Sequence, residues 1–326
     1  MRRMFCRKLA GTAVAFLACT ALSPVLAQPF PSKPIRLIVP YSPGGLPDTV
    51  ARALSPHLSK ALGQTVFVEN KPGAGGSISA SVITQSPADG YNLLLTDGPL
   101  LTISPLVNKS VTYNANKDFA PVSLVGKAPL FLAVNAGVQA KTLDELIALA
   151  KAKPGKLNYG SSGIGGIHHL TAEAMKEALG LDITHIPFKG SANSIPAMIG
   201  GEVDMAFASP PSLMGFVKSD RARLIAINSL KRSPLAPNVP ALAEKAPGFD
   251  FAFNVAVLAR AGTPKDITDR IAAEIARIVK QPEVVEQLQA AGVDPVGGSA
   301  EQLASALKSE GERLTAAAKR ANLRPE

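Results

Sequence analysis

The sequence predicts an α/β protein of two similar lobes joined by two crossover segments. Two stretches of the chain alternate short apolar runs with helical patterns, which is typical of parallel sheets covered by helices. Two longer apolar runs, 121–135 and 249–259, separate these stretches, and each can pass from one sheet to another. We therefore assign residues 28–124 and 249–326 to lobe 1 and residues 125–248 to lobe 2.

Residues 1–27 have the three parts of a secretory signal peptide. Four basic residues and no acid precede an apolar run at 9–22, and Val25-Leu26-Ala27 follows as a small-residue cleavage site. The apolar run is short for a membrane span, which needs about 20 residues. We expect export and cleavage near Ala27. An uncleaved anchor remains an alternative, and lipidation at Cys19 is disfavoured by the Phe16-Leu17 that precedes it.

The bulk composition restricts the classes of partner. Cleavage after Ala27 removes 27 of the 326 residues and leaves 299, removes both cysteines, and lowers the formal charge from +9 to +5. The remaining basic residues form no dense run, which argues against nucleic acid as a partner. No later segment is apolar enough to cross a membrane. The length suits two domains with aliphatic cores, since Trp is absent.

Periodicity places the elements in order along the chain. In lobe 1 it predicts strands at 35–40, 65–69 and 91–96, a helix from its N-cap Asp48 to a stop at Gly63, and a helix at 77–85, followed by an irregular stretch at 97–120. In lobe 2 it predicts strands at 156–160, 183–188, 203–208 and 224–228, and helices at 142–153, 167–179 and 194–199. A helix at 264–280 and a helical tail with a capping box at Ser299 complete the chain.

Three strand-to-helix loops, 42–48, 161–169 and 189–193, are the candidate binding elements. In a parallel sheet such loops lie at the carboxyl ends of the strands, where ligands bind. The N–H groups of a helix start can hold an anion without Arg or Lys, and the glycines of these loops allow close approach to the backbone. One such loop in each lobe could take one oxygen cluster of a dicarboxylate. The alternative is that these loops are ordinary turns, in which Gly and Ser are common.

Six motifs give the chain a resemblance to a known family. They run in order over nearly the whole mature chain, and they are PIRLIVPYSPGG (34–45) with Asp48, ENKPGAGG (69–76), DGY (89–91), GSSG (160–163) with His169, PFKG (187–190) and GEVD (201–204). In these motifs the chain resembles the Bug family, the periplasmic receptors of tripartite tricarboxylate transporters.

The resemblance implies a type II periplasmic-binding-protein fold with Venus-flytrap closure. It implies a periplasmic location, no catalytic activity, and delivery of a small organic carboxylate to membrane permease subunits. It also implies that the Gly44-Gly45 loop and the loop at 161–165 hold a ligand carboxylate between the lobes. With the loop residues, the predicted ligand-binding set is Tyr41, Ser42, Gly44, Gly45, Asp48, Thr96, Asp97, Ser161, Ser162, Gly163, Gly165, His169, Lys189, Gly190, Asp204 and Ser209.

Departures from the family pattern bear on the ligand. Leu46-Pro47 is less polar than the small or hydroxyl residues usual there, and Asp97 stands in a stretch that is often rich in Ser and Thr. Asp97 would repel a second carboxylate and could accept a hydrogen bond from an ammonium or hydroxyl group. We expect a mono- or dicarboxylate, with an aromatic or amino-acid ligand left open, and a monomeric protein without a cofactor.

Three rival functions are less well supported. Gly160-Ser161-Ser162-Gly163 lacks the Gly-x-Ser-x-Gly spacing of a hydrolase nucleophile. Adjacent His168 and His169 point in different directions on a helix, so they do not predict a metal site. A sensor that passes its ligand to a membrane signalling protein remains an alternative to transport.

Overall fold

The computed structural model describes residues 30–323 and contains two separate β-sheets, each covered by helices. This confirms the predicted two-lobed α/β class. The predicted signal peptide and Cys19 lie outside the described residues. No helix within 30–323 combines the length and apolarity that a membrane span requires.

The first sheet has six strands in the order β2-β1-β3-β10-β4-β11. They are β1 Ile35–Val39, β2 Val66–Asn70, β3 Asn92–Asp97, β4 Phe119–Ala128, β10 Phe253–Arg260 and β11 Asp294–Gly298. β1, β2 and β3 are parallel, and β10 is antiparallel to β3 and β4. The parallel strands are the β-α-β-α-β run that the sequence predicts.

The second sheet has five strands in the order β7-β6-β8-β5-β9. They are β5 Phe131–Asn135, β6 Asn158–Ser161, β7 Thr184–Pro187, β8 Met205–Ala208 and β9 Ala222–Ile227. The chain leaves the first sheet at Ala128, enters the second at Phe131, and returns through Phe253. We keep 28–124 with 249–326 and 125–248 as proposed lobe boundaries, although β4 continues in the first sheet to Ala128.

Twelve α-helices cover the two sheets within the described range. They are α1 Leu46–Leu62, α2 Ser77–Gln85, α3 Gly98–Thr102, α4 Ser104–Val107, α5 Ala115–Asp118, α6 Leu143–Ala152, α7 Ile167–Leu179, α8 Ser191–Gly200, α9 Pro210–Lys218, α10 Lys265–Ile278, α11 Pro282–Ala290 and α12 Ala300–Arg320. The apolar face of α1, which includes Leu54 and Leu58, is fully buried against the first sheet. The C-terminal α12 also packs on α7, where Arg320 forms a 2.7 Å ion pair with Glu177.

Two local predictions are wrong, and two elements of the structure were not predicted. Helix α1 begins at Leu46 with Gly45 as its N-cap, so Asp48 lies in the first turn and is not the cap. Pro56 lies inside α1, yet the helix continues to Leu62. The stretch 97–120 contains the short helices α3, α4 and α5, and the chain also forms α9 and the edge strand β11, which periodicity missed. Helices α3 to α5 have at most five residues each, which is too short for a helical period to show. Prolines and glycines obscure the other two elements, because α9 begins with two prolines and β11 has the sequence DPVGG.

Candidate ligand-binding site

A cavity of about 910 Å³ lies between the two sheets. Helix starts, strand ends and both crossover segments contribute to its wall. The lining residues are Tyr41, Gly44, Gly45, Leu46, Pro47, Thr49, Arg52, Ala53, Asp97, Leu130, Ile167, His168, Ser191, Ser209, Pro211, Ser212, Phe253, Gln287, Ala290 and Ala291. Most of these side chains are apolar or uncharged, which is typical of a small-molecule site with a few orienting polar groups.

The buried carboxylate of Asp48 holds the loop after β1 in place. Its Oδ2 accepts hydrogen bonds from the Gly44 N–H at 2.8 Å and from Arg52 Nε at 3.0 Å, and its Oδ1 accepts one from Asn70 Nδ2 at 2.9 Å. Burial alone would raise the pKa of Asp48, but the hydrogen bonds from Arg52, Gly44 and Asn70 outweigh it and lower the pKa. Asp48 therefore holds the Gly44 loop in position through these hydrogen bonds and does not itself line the cavity.

Asp97 lies at the end of β3 and lines the cavity beside Tyr41. Its Oδ1 accepts hydrogen bonds from the Tyr41 hydroxyl at 2.7 Å and from the Leu100 N–H at 3.1 Å. Burial raises the pKa of Asp97, and it also raises the pKa of Tyr41, whose hydroxyl keeps its proton.

A second buried acid, Glu310 of α12, lies near Asp97, and its carboxyl accepts hydrogen bonds from the backbone N–H and the side-chain amide of Asn254. Burial raises the pKa of Glu310 to about 8.

The opposite wall is built from helix starts. Ile167 is the first residue of α7 and Ser191 is the first residue of α8, and both line the cavity. On the facing wall, Leu46 is the first residue of α1 and also lines the cavity. Because N–H groups of a first helical turn have no partner inside their own helix, they form an anion-friendly surface. Helix α9 begins with two prolines, so there the hydroxyls of Ser209 and Ser212 supply the polar atoms.

A stack of three rings supports the 161–166 loop from inside the second lobe. His185 lies between Tyr159 and His169, with ring centroids 4.8 Å and 4.1 Å away respectively. His185 Nε2 is 2.7 Å from the Ser161 hydroxyl, and His169 Nδ1 accepts a hydrogen bond from the Gly165 N–H. Burial lowers the pKa of His185 to about 4 and also lowers that of His169, so both rings are neutral at pH 7.

The structure brings only part of the predicted site to the cavity. Tyr41, Gly44, Gly45, Asp97 and Ser209 line it. Seven other predicted residues belong to the loops, strand ends and helix starts around the cavity but do not line it; they are Ser42, Asp48, Thr96, Ser161, Ser162, Gly163 and Gly190.

Four predicted site residues are placed elsewhere. His169 is buried in the ring stack, and its neighbour His168 lines the cavity instead. Gly165 packs against Val107 and Leu323, where a β-carbon would come within 3.0 Å of the Val107 side chain.

Lys189 is exposed outside the cavity. Asp204 precedes β8, at the strand end away from the cavity, where it accepts a hydrogen bond from the Asn158 N–H at 2.8 Å.

One part of the cavity wall comes from distant segments that were not predicted from the sequence. Leu130 and Phe253 come from the two crossovers, and Gln287, Ala290 and Ala291 come from the end of α11. The crossover residues could have been predicted as part of the wall, because a segment that passes between two lobes must border the space between them. The residues at the end of α11 could not, since the position of that helix end depends on how the whole C-terminal tail packs.

The serine and histidine residues do not form a catalytic triad. Ser162 Oγ is 2.7 Å from His168 Nδ1, and Ser161 Oγ is equally close to His185 Nε2. Within residues 30–323, no carboxylate is hydrogen-bonded to either ring to orient it as a base. Burial lowers the pKa of His168 to about 4, which makes it a weak proton acceptor at pH 7.

Comparison with known proteins settles the family. The profile described as "Tripartite tricarboxylate transporter family receptor" matches residues 50–323. The chain belongs to this receptor family. Protein BugT of Bordetella pertussis is 35% identical over 309 residues, which cover 94% of this chain and 95% of BugT. The family resemblance seen in the motifs is thereby confirmed.

Solved structures of related receptors share the architecture. Rpa4515 of R. palustris, solved with adipate, is 30% identical with a TM-score of 0.77, and the match covers 91% of this chain and all of the other. MatC from Rhodopseudomonas palustris, solved with malate, is 27% identical with a TM-score of 0.70, with coverage of 88% and 99%. Receptors of this family are periplasmic solute-binding proteins and not enzymes.

Proposed function

We propose that this receptor captures a small organic carboxylate in the interlobe cavity and delivers it to a tripartite tricarboxylate-type permease. The observation that carries the proposal is the convergence of three helix starts, at Leu46, Ile167 and Ser191, on one cavity. Their N–H groups favour a carboxylate. The one Arg of the lining, Arg52, is already paired with Asp48 at 3.0 Å.

The ligands of the related structures support this proposal. Rpa4515 was solved with adipate and MatC with malate, and both compounds are small dicarboxylates. A cavity of about 910 Å³ has room for molecules of this size. We further propose that the chain acts in the periplasm as a monomer after cleavage near Ala27, and that nucleic acid is not a partner.

A bound organic acid should stabilise the receptor against heat. A ligand that binds only the folded state adds about 2.7 kcal/mol at 100 times its Kd, which corresponds to a rise in Tm of about 5 °C for a chain of this size. Native mass spectrometry of the freshly purified receptor identifies the mass of a co-purified ligand. Differential scanning calorimetry with that acid then measures the shift. An unchanged Tm with every C4 to C8 organic acid tested would refute carboxylate capture.

A side chain at position 45 should block the cavity without unfolding the receptor. Gly45 has an ordinary backbone conformation, and an added β-carbon would meet nothing closer than 3.6 Å. Gly45→Val should therefore fold normally but lower ligand affinity at least about 10-fold, because bulk is added beside the start of α1. Gly215→Val is the matched control, since Gly215 lies exposed in α9 with open space around it. Equal affinities of the two variants in calorimetry would place the ligand elsewhere.

A further inference from the structure

Asp97 is an acid of the cavity wall without a basic partner. One of its oxygens, Oδ1, accepts the hydrogen bonds from Tyr41 and Leu100. The other oxygen, Oδ2, has no hydrogen-bond partner within residues 30–323. It remains accessible to solvent, unlike the buried unpartnered oxygens of Thr171, Asn254 and Glu310. An acceptor thus remains available on the cavity side of β3.

The surroundings of Asp97 make this acceptor unusual. The ionisable groups that influence it are Tyr41, Tyr113 and Glu310, and none of these carries a positive charge. Arg52, the one basic side chain among the lining residues, is held by Asp48 and Asn70. A partly desolvated carboxylate without a counter-charge is costly unless something supplies one.

The two faces of the cavity therefore carry opposite electrostatic character. The starts of α7 and α8, in the second lobe, present positive helix ends. Asp97, in the first lobe, presents a carboxylate oxygen. Between them the wall is largely apolar, with Leu130 and Phe253 from the crossovers and Ala290 from α11.

We propose that the ligand is an aminocarboxylate whose ammonium and carboxylate groups are separated by an apolar body. The ammonium lies at Asp97 Oδ2, on the oxygen that Tyr41 and Leu100 leave free. The carboxylate lies at the starts of α7 and α8. This inference rests on the proposed function and narrows its ligand class. Tyr41 orients Asp97 through its 2.7 Å hydrogen bond.

Paired ligands of equal length test the assignment. Titration calorimetry compares 5-aminopentanoate with glutarate and 6-aminohexanoate with adipate, on the full mature chain at pH 7.5. We expect the better aminocarboxylate to bind at least about 10-fold more tightly than its dicarboxylate partner, because Asp97 attracts an ammonium and repels a second carboxylate. Tighter binding of both dicarboxylates would overturn the assignment while leaving carboxylate capture intact. Binding of none of the four would also overturn the aminocarboxylate assignment, whereas carboxylate capture itself falls only if the whole C4 to C8 series leaves the Tm unchanged.

The variant Asp97→Asn separates the charge of Asp97 from its structural role. The Asn oxygen still accepts from Tyr41 and Leu100, so the fold is retained, whereas the negative charge is lost. We expect aminocarboxylate affinity to fall about 30- to 100-fold, with dicarboxylate affinity unchanged or higher. If the variant folds poorly, Asp97→Ser replaces it, because Asp97 is the N-cap of α3 and a Ser hydroxyl can still accept from the Leu100 N–H. Asp269→Asn, at an exposed acid of α10, is the matched control and should match the wild type. An aminocarboxylate affinity that Asp97→Asn leaves unchanged would overturn the assignment.

Discussion

Asp48→Ala is expected to lower ligand affinity about 100-fold or more and to cost roughly 2–4 kcal/mol of stability. The carboxylate is 2% exposed and accepts hydrogen bonds from Gly44, Arg52 and Asn70. Alanine removes all three acceptor contacts at once, so the Gly44 N–H loses its partner and Arg52 and Asn70 lose the carboxylate that ties them to the loop. The loop from Tyr41 to Leu46 then loses the support that sets its position against the ligand.

Two measurements check this expectation. Titration calorimetry gives the change in affinity, and urea unfolding gives the change in the free energy of unfolding. Asp266→Ala is the matched control, because Asp266 is also a first-turn aspartate but lies exposed on α10, away from the cavity. Wild-type affinity and stability in Asp48→Ala would show that the loop holds its shape without the carboxylate.

Glu310→Gln is expected to stabilise the receptor at alkaline pH by an amount on the order of 3–5 kcal/mol. Glu310 is 2% exposed, and its Oε1 has no hydrogen-bond partner among the described residues. Burial raises its pKa from 4.5 to about 8 in the folded state. Its contribution to stability is therefore fully present below pH 4.5 and is lost as the pH rises through about 8. The amide of Gln cannot ionise, so the variant escapes this loss.

Unfolding by urea at pH 5, 7 and 9 tests this prediction. The variant and the wild type should be close in stability at pH 5 and should diverge as the pH rises. Other titrating groups cancel in the difference between the two proteins. Glu312→Gln, at an exposed position two residues along α12, should follow the wild type at every pH. Parallel curves for Glu310→Gln and the wild type would show that Glu310 is already ionised in the folded protein.

The sequence predicted the parallel runs of both sheets because strand and helix periods differ and Gly or Pro separates the elements. The helix at 77–85 and the capping box at Ser299 appear in the structure as predicted. Helix phase was harder to predict. Whether His168 or His169 faces the cavity depends on where α7 begins after a glycine loop, and one residue rotates the side chain by about 100°.

The far side of the cavity could not be predicted for a different reason. Phe253 and Gln287 reach it only because the return crossover and the tail pack against the first sheet, which is a long-range arrangement without a local signature. The hydrogen bond between Tyr41 and Asp97 could not be predicted either, because the two residues are 56 positions apart in the sequence. Sequence patterns locate the loops of such a site better than they locate its opposite wall.

The three helix starts at the cavity have a consequence for how this protein can change. A backbone N–H is present whatever the side chain, except in proline, so an alanine scan would pass over this part of the site without detecting it. Substitutions at Leu46, Ile167 or Ser191 can therefore alter the shape and polarity around a ligand while its carboxylate keeps the same donors. Such a protein can acquire new carboxylate ligands through single side-chain substitutions, because the backbone N–H groups that bind the carboxylate stay in place.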